Sequence, residues 1–205
     1  MGGLKKNKTK NNRLKIKYLM KILAGVDEVG RGSLIGPVYA AAVILKKSIN
    51  KKVLKDSKSF SRIKREELDK YIKKNSIWAV GQASAKEIEK INILHASLLA
   101  MKRAILKLKK KPSLVLIDGN RLPNLKNYKL EYVVKGDQKI PCISAASIIA
   151  KVSRDKFIKK LSKQFSGYGW DRNSGYGTKE HLRAIKKLGI SKYHRKTFSP
   201  ISDLL

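Results

Sequence analysis

The sequence has few cysteines, and this shortage excludes two kinds of site. Cys142 is the single cysteine among 205 residues. One cysteine cannot form an internal disulfide, and it cannot build a thiolate zinc site alone. Such sparing use of cysteine fits a reducing compartment, so we expect a cytoplasmic protein.

Long apolar runs are also missing. A membrane-spanning helix needs roughly 20 consecutive apolar residues. The longest apolar segment, IGPVYAAAVIL, covers only residues 35–45 and is rich in small and β-branched residues. It therefore predicts a buried strand rather than a membrane span, and we expect no membrane partner.

Acidic residues are scarce, with 15 Asp and Glu against 48 Lys and Arg, for a formal net charge of +33. A surface this cationic attracts polyanions, so nucleic acid or an anionic membrane surface is the expected kind of partner. Codon bias toward lysine in an AT-rich genome is an alternative source of part of this charge.

The order of apolar patterns predicts three regions. Residues 1–20 are basic and poor in apolar residues, which predicts a mobile arm; residues 21–165 carry the strand and helix patterns of a folded core, and residues 166–205 follow as a C-terminal segment. Predicted strands are ILAGV, PVYAAAVIL, IWAVGQASA, SLVLIDGN and LEYVV. Predicted helices are SRIKREELDKYIKKN, residues 86–109, ISAASIIAKVSRDKFIKKLSKQF and residues 178–188. Strands that alternate with helices indicate an α/β layered fold.

Three of the scarce acids follow apolar strands. Asp27 and Glu28 end the first strand and Asp118 ends the fourth. Carboxylates at strand ends often serve only to keep strands soluble, which is the structural alternative. Because ligand sites of α/β sheets lie at strand ends, three acids in such positions favour a shared site.

Clustered carboxylates in a basic protein suggest a metal site. Mg²⁺ and Mn²⁺ prefer oxygen ligands and are held by few protein groups together with substrate phosphates. The acids would repel a phosphodiester unless cations lay between them. Two such ions about 3.5 to 4 Å apart can assist an in-line displacement at phosphorus.

Seven blocks of the sequence resemble ribonuclease HII, the type 2 ribonuclease H family, and they occur in the family's order between residues 23 and 198. The blocks are DEVGRGSLIGPV, DSK, INILHASLLAMKRA, LIDGN, KGDQKIPCISAASIIAKVSRD, GYGT and HRKTF. The resemblance implies an RNase H-like fold, with a central mixed sheet flanked by helices and a helical C-terminal extension. Residues 21–165 would then be the catalytic core, and residues 166–205 would help to grip the duplex.

The resemblance also implies an activity. Members of this family are endonucleases that cut the RNA strand of RNA/DNA hybrids and nick on the 5′ side of ribonucleotides embedded in duplex DNA. Their reaction is phosphodiester hydrolysis with two metal ions. We therefore expect a monomer that uses Mg²⁺ or Mn²⁺, with two ions present once substrate is bound.

The family's four metal-binding and catalytic acids correspond to Asp27, Glu28, Asp118 and Asp137. Asp137 lies in a turn-like segment, where a solvated aspartate is the alternative. Asp155 is the nearest competitor for this role. Its predicted helix places lysines four residues away on both sides, which favours a surface ion pair instead.

The resemblance assigns further residues to the substrate. The family's GRG motif corresponds to Gly30, Arg31 and Gly32, which contact the ribonucleotide and its 2′-hydroxyl. Glycine allows main-chain donors to approach a sugar closely, and the 2′-hydroxyl distinguishes RNA from DNA. The other substrate-binding residues that the resemblance implies are Tyr176, which packs on the neighbouring deoxyribose, and the phosphate-contacting Ser57 and Lys58.

The three histidines lack the spacing and company of zinc ligands. We expect His95 to pack within its helix, and His181 and His194 to lie on the surface or the substrate face.

Two other functions compete with this interpretation. One is a HIII-like ribonuclease restricted to longer hybrids, although GRG in place of a GTG-like variant argues against it. The other is a basic nucleic-acid-binding protein without catalytic activity, in which the acids merely balance charge. Metal-dependent cleavage that EDTA abolishes would separate either enzyme from the binding protein.

Overall fold

A five-stranded mixed sheet forms the centre of the protein, with strand order β3-β2-β1-β4-β5. The computed structural model describes residues 22–54 and 60–205. The arm predicted at residues 1–20 and the candidates Ser57 and Lys58 lie outside the described residues. The strands are β1 Leu23–Val29, β2 Val38–Leu45, β3 Ser76–Ala83, β4 Leu114–Asp118 and β5 Leu130–Val133. Strand β1 pairs antiparallel with β2 and parallel with β4.

Helices cover both faces of the sheet. They are α1 Arg62–Lys74, α2 Ala85–Leu106, α3 Gly136–Lys139, α4 Pro141–Gln164, α5 Trp170–Asn173 and α6 Lys179–Leu188, with short 3₁₀ turns at Lys51–Leu54 and Ser202–Leu204. Successive side chains of β2 face opposite sides of the sheet. Ala40 and Ala42 pack with α2 on one side, and Ala41 and Val43 pack with α1 and α4 on the other. None of the described helices is both long enough and apolar enough to cross a bilayer. The predicted mixed sheet, flanking helices and helical C-terminal part are confirmed.

Helix α4 lies unusually close to β1. A Cβ on Gly25 would come within 2.2 Å of the main chain of Cys142. The next turn of the helix is also lined by small buried residues, including Ser144 and Ala145. Glycine at position 25 therefore lets the first turns of α4 pack directly on the central strand.

Helix α2 contains a break that the apolar periodicity does not reveal. Asn92 has φ 60° and ψ 170°, so two helical segments meet there. The Asn92 side-chain oxygen accepts hydrogen bonds from the main-chain N–H groups of Leu94, at 2.9 Å, and His95, at 3.2 Å. Asn92 thus caps the second segment in the manner of a helix N-terminus. His95 is exposed, so its predicted packing role is wrong.

The C-terminal region has its own small core, to which α4, α5, α6 and the segment after the first glycine turn contribute. Trp170 is 1% exposed and stacks on Tyr168 with ring centroids 4.8 Å apart. His181 and His194 are 0% and 2% exposed, so their predicted surface positions are wrong. Their aromatic rings fill space beside the tryptophan.

Hydrogen bonds fix both histidines as neutral rings. Ser191 N–H donates to His194 Nδ1 at 2.7 Å, so Nδ1 is the acceptor and the ring proton of His194 lies on Nε2. This Nε2–H donates to His181 Nε2, which is 3.3 Å away. Trp170 Nε1–H also donates to His181 Nε2, at 2.9 Å. His181 therefore keeps its proton on Nδ1, where it faces the carbonyl of Tyr176 at 3.0 Å.

This buried histidine pair should make stability depend on pH. Burial, with a smaller contribution from His181, lowers the pKa of His194 from 6.5 to about 4. Because the folded pKa lies below the unfolded one, stability is fully present above about pH 6.5 and falls as the pH approaches 4. The expected loss is about 3 kcal/mol, measured by urea unfolding across this range.

His194→Gln should lower stability at pH 7 and flatten this pH dependence. His95→Gln is the matched control, because His95 is exposed and its loss should leave the dependence unchanged. Equal slopes for wild type and His194→Gln would contradict the assignment.

Candidate active site

Two of the four candidate acids lie on neighbouring parallel strands. Val26 of β1 is in register with Ile117 of β4, and each is followed directly by an aspartate, Asp27 and Asp118. Because paired parallel strands end at the same edge of a sheet, the two carboxylates reach the same region. The pairing thus brings together acids that are far apart in sequence.

Asp27 is buried, with 6% of its surface exposed. Its Oδ1 accepts a hydrogen bond from the main-chain N–H of Glu28 at 2.7 Å, and Ser147 of α4 also bonds to its carboxyl group. Burial raises the pKa of Asp27 well above its usual value, and the nearby charges of Glu28 and Asp118 raise it further. The ionised form of Asp27 is therefore unfavourable without a cation nearby.

Glu28 is less buried and has a basic neighbour. Arg31 Nη1 donates to Glu28 Oε1 at 3.3 Å, and the Arg31 side chain is half exposed. Burial raises the pKa of Glu28, Arg31 opposes that rise, and the charge of Asp118 adds to it. The arginine of the GRG turn thus offsets part of the repulsion among the acids.

Asp118 is connected to the candidate Asp137 through one main-chain contact. The N–H of Gly136 donates to Asp118 Oδ1 at 2.6 Å. Asp137 is the next residue, lies in the one-turn helix α3 and is 6% exposed. Its burial argues against the solvated turn aspartate that was the alternative. The structure therefore brings Asp27, Glu28 and Asp118 close enough for their charges to interact, and it places Asp137 next to the Gly136 that bonds to Asp118.

The donor set fits a hard divalent cation, because every candidate ligand is a carboxylate oxygen. The mutual repulsion of Asp27, Glu28 and Asp118 is the electrostatic condition that a cation would relieve. Within residues 22–54 and 60–205, however, no three acidic, histidine or cysteine side chains are close enough to form a finished metal site. What the structure shows is that Asp27, Glu28 and Asp118 lie close enough for their charges to interact.

The GRG turn follows these acids directly. Gly30 has φ 91°, and a Cβ there would lie 2.3 Å from Nε of the Arg154 side chain, so the fold itself requires glycine. Gly32 differs, since a Cβ there would have no neighbour within 4 Å. The space around Gly32 is open to solvent, and the space around Gly30 is filled by protein.

Tyr176 lies beside the same turn. It forms an isolated antiparallel bridge with Ser33, and its ring lies under the guanidinium of Arg154, 5.6 Å from the ring centroid. The carbonyl of the preceding Gly175 accepts the N–H of Leu34 at 2.9 Å. The structure therefore brings the predicted Tyr176 next to the predicted GRG residues, although more than 140 residues of sequence separate them.

Asp155 is not part of the acid cluster. Lys151 Nζ lies 2.8 Å from Asp155 Oδ1, and Arg65 is a second partner at 3.9 Å. The expected ion pair with Lys151 is confirmed, and Arg65 takes the place predicted for Lys159.

Three residues of the site were not singled out from the sequence. They are Ser147, which bonds to Asp27, and two buried arginines beneath the GRG turn, Arg154 and Arg195. Both arginines lie inside motifs that carry the family resemblance. In a chain with 48 basic residues, nothing in one sequence separates a buried arginine from a solvated one.

Comparisons with known proteins identify the family of this chain. A family model described as Ribonuclease HII matches residues 24–200. A Ribonuclease HII of Pelagibacter ubique (strain HTCC1062) is 86% identical over 186 residues, which is 91% of this chain and 100% of that protein. A crystal structure of the ribonuclease H2 from Pyrococcus horikoshii OT3 has a TM-score of 0.75 and 28% identity, covering 90% of this chain and 97% of that one.

A more distant structure shares the fold alone. It is Bst-RNase HIII in complex with Mn²⁺, with a TM-score of 0.70 and 19% identity over 88% of this chain and 68% of that chain. The family that the sequence motifs suggested is confirmed, and so is an enzymatic function. The match over residues 24–200 and the 86% identity to a named member show that the chain belongs to the ribonuclease HII family of endoribonucleases.

Proposed function

We propose that this ribonuclease nicks the RNA-containing strand on the 5′ side of a single ribonucleotide embedded in duplex DNA, and also cuts the RNA strand of RNA/DNA hybrids. The hydrolysis depends on Mg²⁺ or Mn²⁺, with two ions present when substrate is bound. The protein acts as a monomer. Its substrates are these two kinds of duplex.

The adjacency of the acids and the GRG turn is the observation that carries the proposal. Glu28 and Arg31 are three residues apart and in contact, and the exposed Gly32 follows immediately. A sugar bound over Gly32 would therefore have its phosphate next to the carboxylates. Recognition of one 2′-hydroxyl then also places the scissile phosphate, so one ribonucleotide is enough for cleavage.

The residues of the proposed site have two roles, which are to hold the cations and to orient the carboxylates. Asp27, Glu28, Asp118 and Asp137 would hold the cations, which supply charge neutralisation and activation of water when bound. Ser147 and the main-chain N–H of Glu28 orient the Asp27 carboxyl group, and the N–H of Gly136 orients Asp118. Side chains held in this way keep their geometry when the substrate arrives, which lowers the cost of organising the site.

Substrate discrimination falls to the turn and to Tyr176. The main chain at Gly30, Arg31 and Gly32 reads the ribose, and the Tyr176 ring packs on the deoxyribose that follows. Ser57 and Lys58 contact phosphates in this proposal. The Mn²⁺ in the distant Bst-RNase HIII structure supports the choice of a divalent cation.

Three duplexes of equal sequence test the proposal directly: one all DNA, one with a single ribonucleotide and one with a full RNA strand. We expect metal-dependent cutting of the second and third only, with the nick 5′ of the lone ribonucleotide. Efficient cutting of the hybrid without that nick would favour the HIII-like alternative.

Asp118→Asn should separate binding from catalysis. The change removes one negative charge but keeps an oxygen that can accept the Gly136 N–H. Cleavage should fall by roughly three orders of magnitude or more in a single-turnover assay, while duplex affinity persists. Asp155→Asn is the matched control, because its partners are surface cations, and it should cut normally. Turnover near the wild-type rate would remove Asp118 from the site.

Gly32→Ala should impair recognition without harming the fold. The new methyl group meets no atom of the free protein, so the unfolding temperature should stay unchanged. Nicking at the lone ribonucleotide should fall more than duplex affinity, since most affinity comes from phosphate contacts. Gly30→Ala provides the contrast, because it should also lose stability through its contact with Arg154. Normal nicking by Gly32→Ala would show that no sugar approaches this position.

Deleting residues 1–20 should weaken binding without abolishing cleavage, if the arm contacts only phosphates. The logarithm of affinity falls with the logarithm of salt concentration at a slope of about 0.9 per neutralised phosphate. We expect a shallower slope for the truncated protein in a fluorescence binding assay over a salt series. A truncation that binds normally but does not cut would place the arm in the catalytic fold.

A further inference from the structure

Two arginines are buried beneath the GRG turn without a carboxylate partner. Arg154 and Arg195 are both 0% exposed, and neither forms an ion pair with an acidic residue in the described part of the chain. Burial and the neighbouring Arg154 lower the pKa of Arg195 to about 9. Burying an unpaired guanidinium is costly, so its retention requires other acceptors.

Main-chain carbonyls supply these acceptors for Arg195. Its Nη2 donates to the carbonyl of Gly30 at 2.8 Å, and its Nη1 donates to the carbonyl of Arg31 at 2.8 Å. Its Nε donates to the carbonyl of Gly36 at 2.9 Å. The planar guanidinium has N–H donors in a fixed geometry, and three of them thus hold the carbonyls of Gly30, Arg31 and Gly36 in place.

These contacts determine where the N–H groups of the turn point. In a planar trans peptide, the carbonyl of one residue and the N–H of the next point in opposite directions. Since the carbonyls of Gly30 and Arg31 face Arg195, the N–H groups of Arg31 and Gly32 face away from it. Both residues are exposed, and no main-chain or side-chain acceptor for either N–H is found among the described residues.

We propose that Arg195 is the positioning residue for sugar recognition: by binding the carbonyls of Gly30 and Arg31 it aims the N–H groups of Arg31 and Gly32 at the ribose 2′-hydroxyl. This inference rests on the proposed function of the GRG turn. Arg195 itself is buried and does not touch the substrate. It acts through the backbone, and its effect is on discrimination and turnover rather than on phosphate binding.

The surroundings of Arg195 hold its side chain rigidly in place. Its main-chain N–H donates to the carbonyl of Leu34 at 2.8 Å, and Gly36 N–H donates to the carbonyl of Tyr193 at 2.8 Å. The ring of Phe198 lies 5.0 Å from the guanidinium carbon. The segment that carries Arg195 is therefore paired with the chain that leaves the turn.

Arg154 braces the turn from the other side. Its Nη2 donates to Ser33 Oγ at 2.6 Å, and its Nη1 donates to the carbonyl of Ser174 at 3.1 Å. It therefore links the GRG turn to the loop of Tyr176. Arg154 does not bond to the carbonyls of Gly30 or Arg31. The N–H of Ser33 donates to the Gly30 carbonyl at 3.4 Å, and the shorter bonds from Arg195, both 2.8 Å, are the main constraint on the two peptides.

Arg195→Lys tests this role, because an ammonium group keeps the charge but cannot hold three carbonyls in the same plane. We expect kcat for the lone-ribonucleotide duplex to fall on the order of 100-fold, as when one oriented donor of an active site is lost. Affinity for the all-DNA duplex should change by less than about threefold, since it rests on phosphate contacts.

Arg103→Lys is the matched control. Arg103 binds Glu87 through two hydrogen bonds and also donates to the carbonyl of Gln82, so its replacement disturbs a comparable network on α2. It should lower stability without changing kcat or the preference for ribonucleotides. Phe198→Leu is the second test variant, because it loosens the Arg195 side chain while keeping all its donors.

The amide signals of Arg31 and Gly32 provide a readout that does not depend on cleavage. In ¹⁵N-labelled wild-type protein with Ca²⁺ in place of an activating metal, both signals should shift more on binding the ribonucleotide duplex than on binding DNA. In Arg195→Lys, or in Phe198→Leu if the lysine variant does not fold, this difference should be lost or reduced at least by half.

The outcomes separate the two proposals. Wild-type protein that fails to nick the lone ribonucleotide overturns the proposed function, and the amide shifts on the RNA/DNA hybrid then still test Arg195. Arg195→Lys or Phe198→Leu with wild-type kcat, wild-type preference and wild-type amide shifts overturns the positioning role. If Arg195→Lys loses only stability, as Arg103→Lys is expected to do, and keeps the wild-type kcat and preference, the positioning role is also overturned.

Discussion

The parallel pairing of β1 with β4 is the constraint on which the site depends. It places Asp27 and Asp118 at one edge of the sheet, although they are far apart in the chain. The same strand β1 continues into the GRG turn, so acids and turn share one rigid support. Helix α4 can lie against this strand because Gly25 leaves room for its first turns. A shift in any of these contacts would move the carboxylates relative to the turn.

The charges of the molecule are unevenly distributed, with basic residues in large excess and a few acids clustered at the ends of two strands. A chain with a net charge of +33 attracts a polyanion over its whole surface, without regard to base or sugar. The few acids at the carboxyl ends of β1 and β4 are buried or half-buried, and their ionised forms disfavour one another. In the proposed function, the chain attracts the duplex at long range while these acids repel its phosphate, and a cation between acid and phosphate would reconcile the two.

Most of the fold was accessible from the sequence, because long apolar patterns and caps are local signals. Ser61 caps α1 and Thr178 caps α6, and each is the first residue of a segment predicted to be helical. The break at Asn92 was missed, because the apolar period continues across it. His95 lies three residues after this break and is exposed, although it was expected to pack within its helix.

The site was accessible only in part, for a different physical reason. Asp27, Glu28 and Asp118 could be found because acids are rare in this chain and stand at the ends of strands. The burial of His181, His194 and Arg195 depends on contacts between distant segments, which no local pattern records. A histidine or arginine has the same one-letter code in a core as on a surface.

Helix α4 fixes a distance within the site as well as providing a surface for packing. Ser147 of this helix bonds to Asp27, and Arg154, seven residues later, braces the GRG turn. Seven residues of α-helix span about 10 Å along one face. The helix thus fixes the distance between Asp27 and the turn. In the proposed function, the site of the nick relative to the ribose would then be a fixed dimension of the protein, independent of the bases of the duplex.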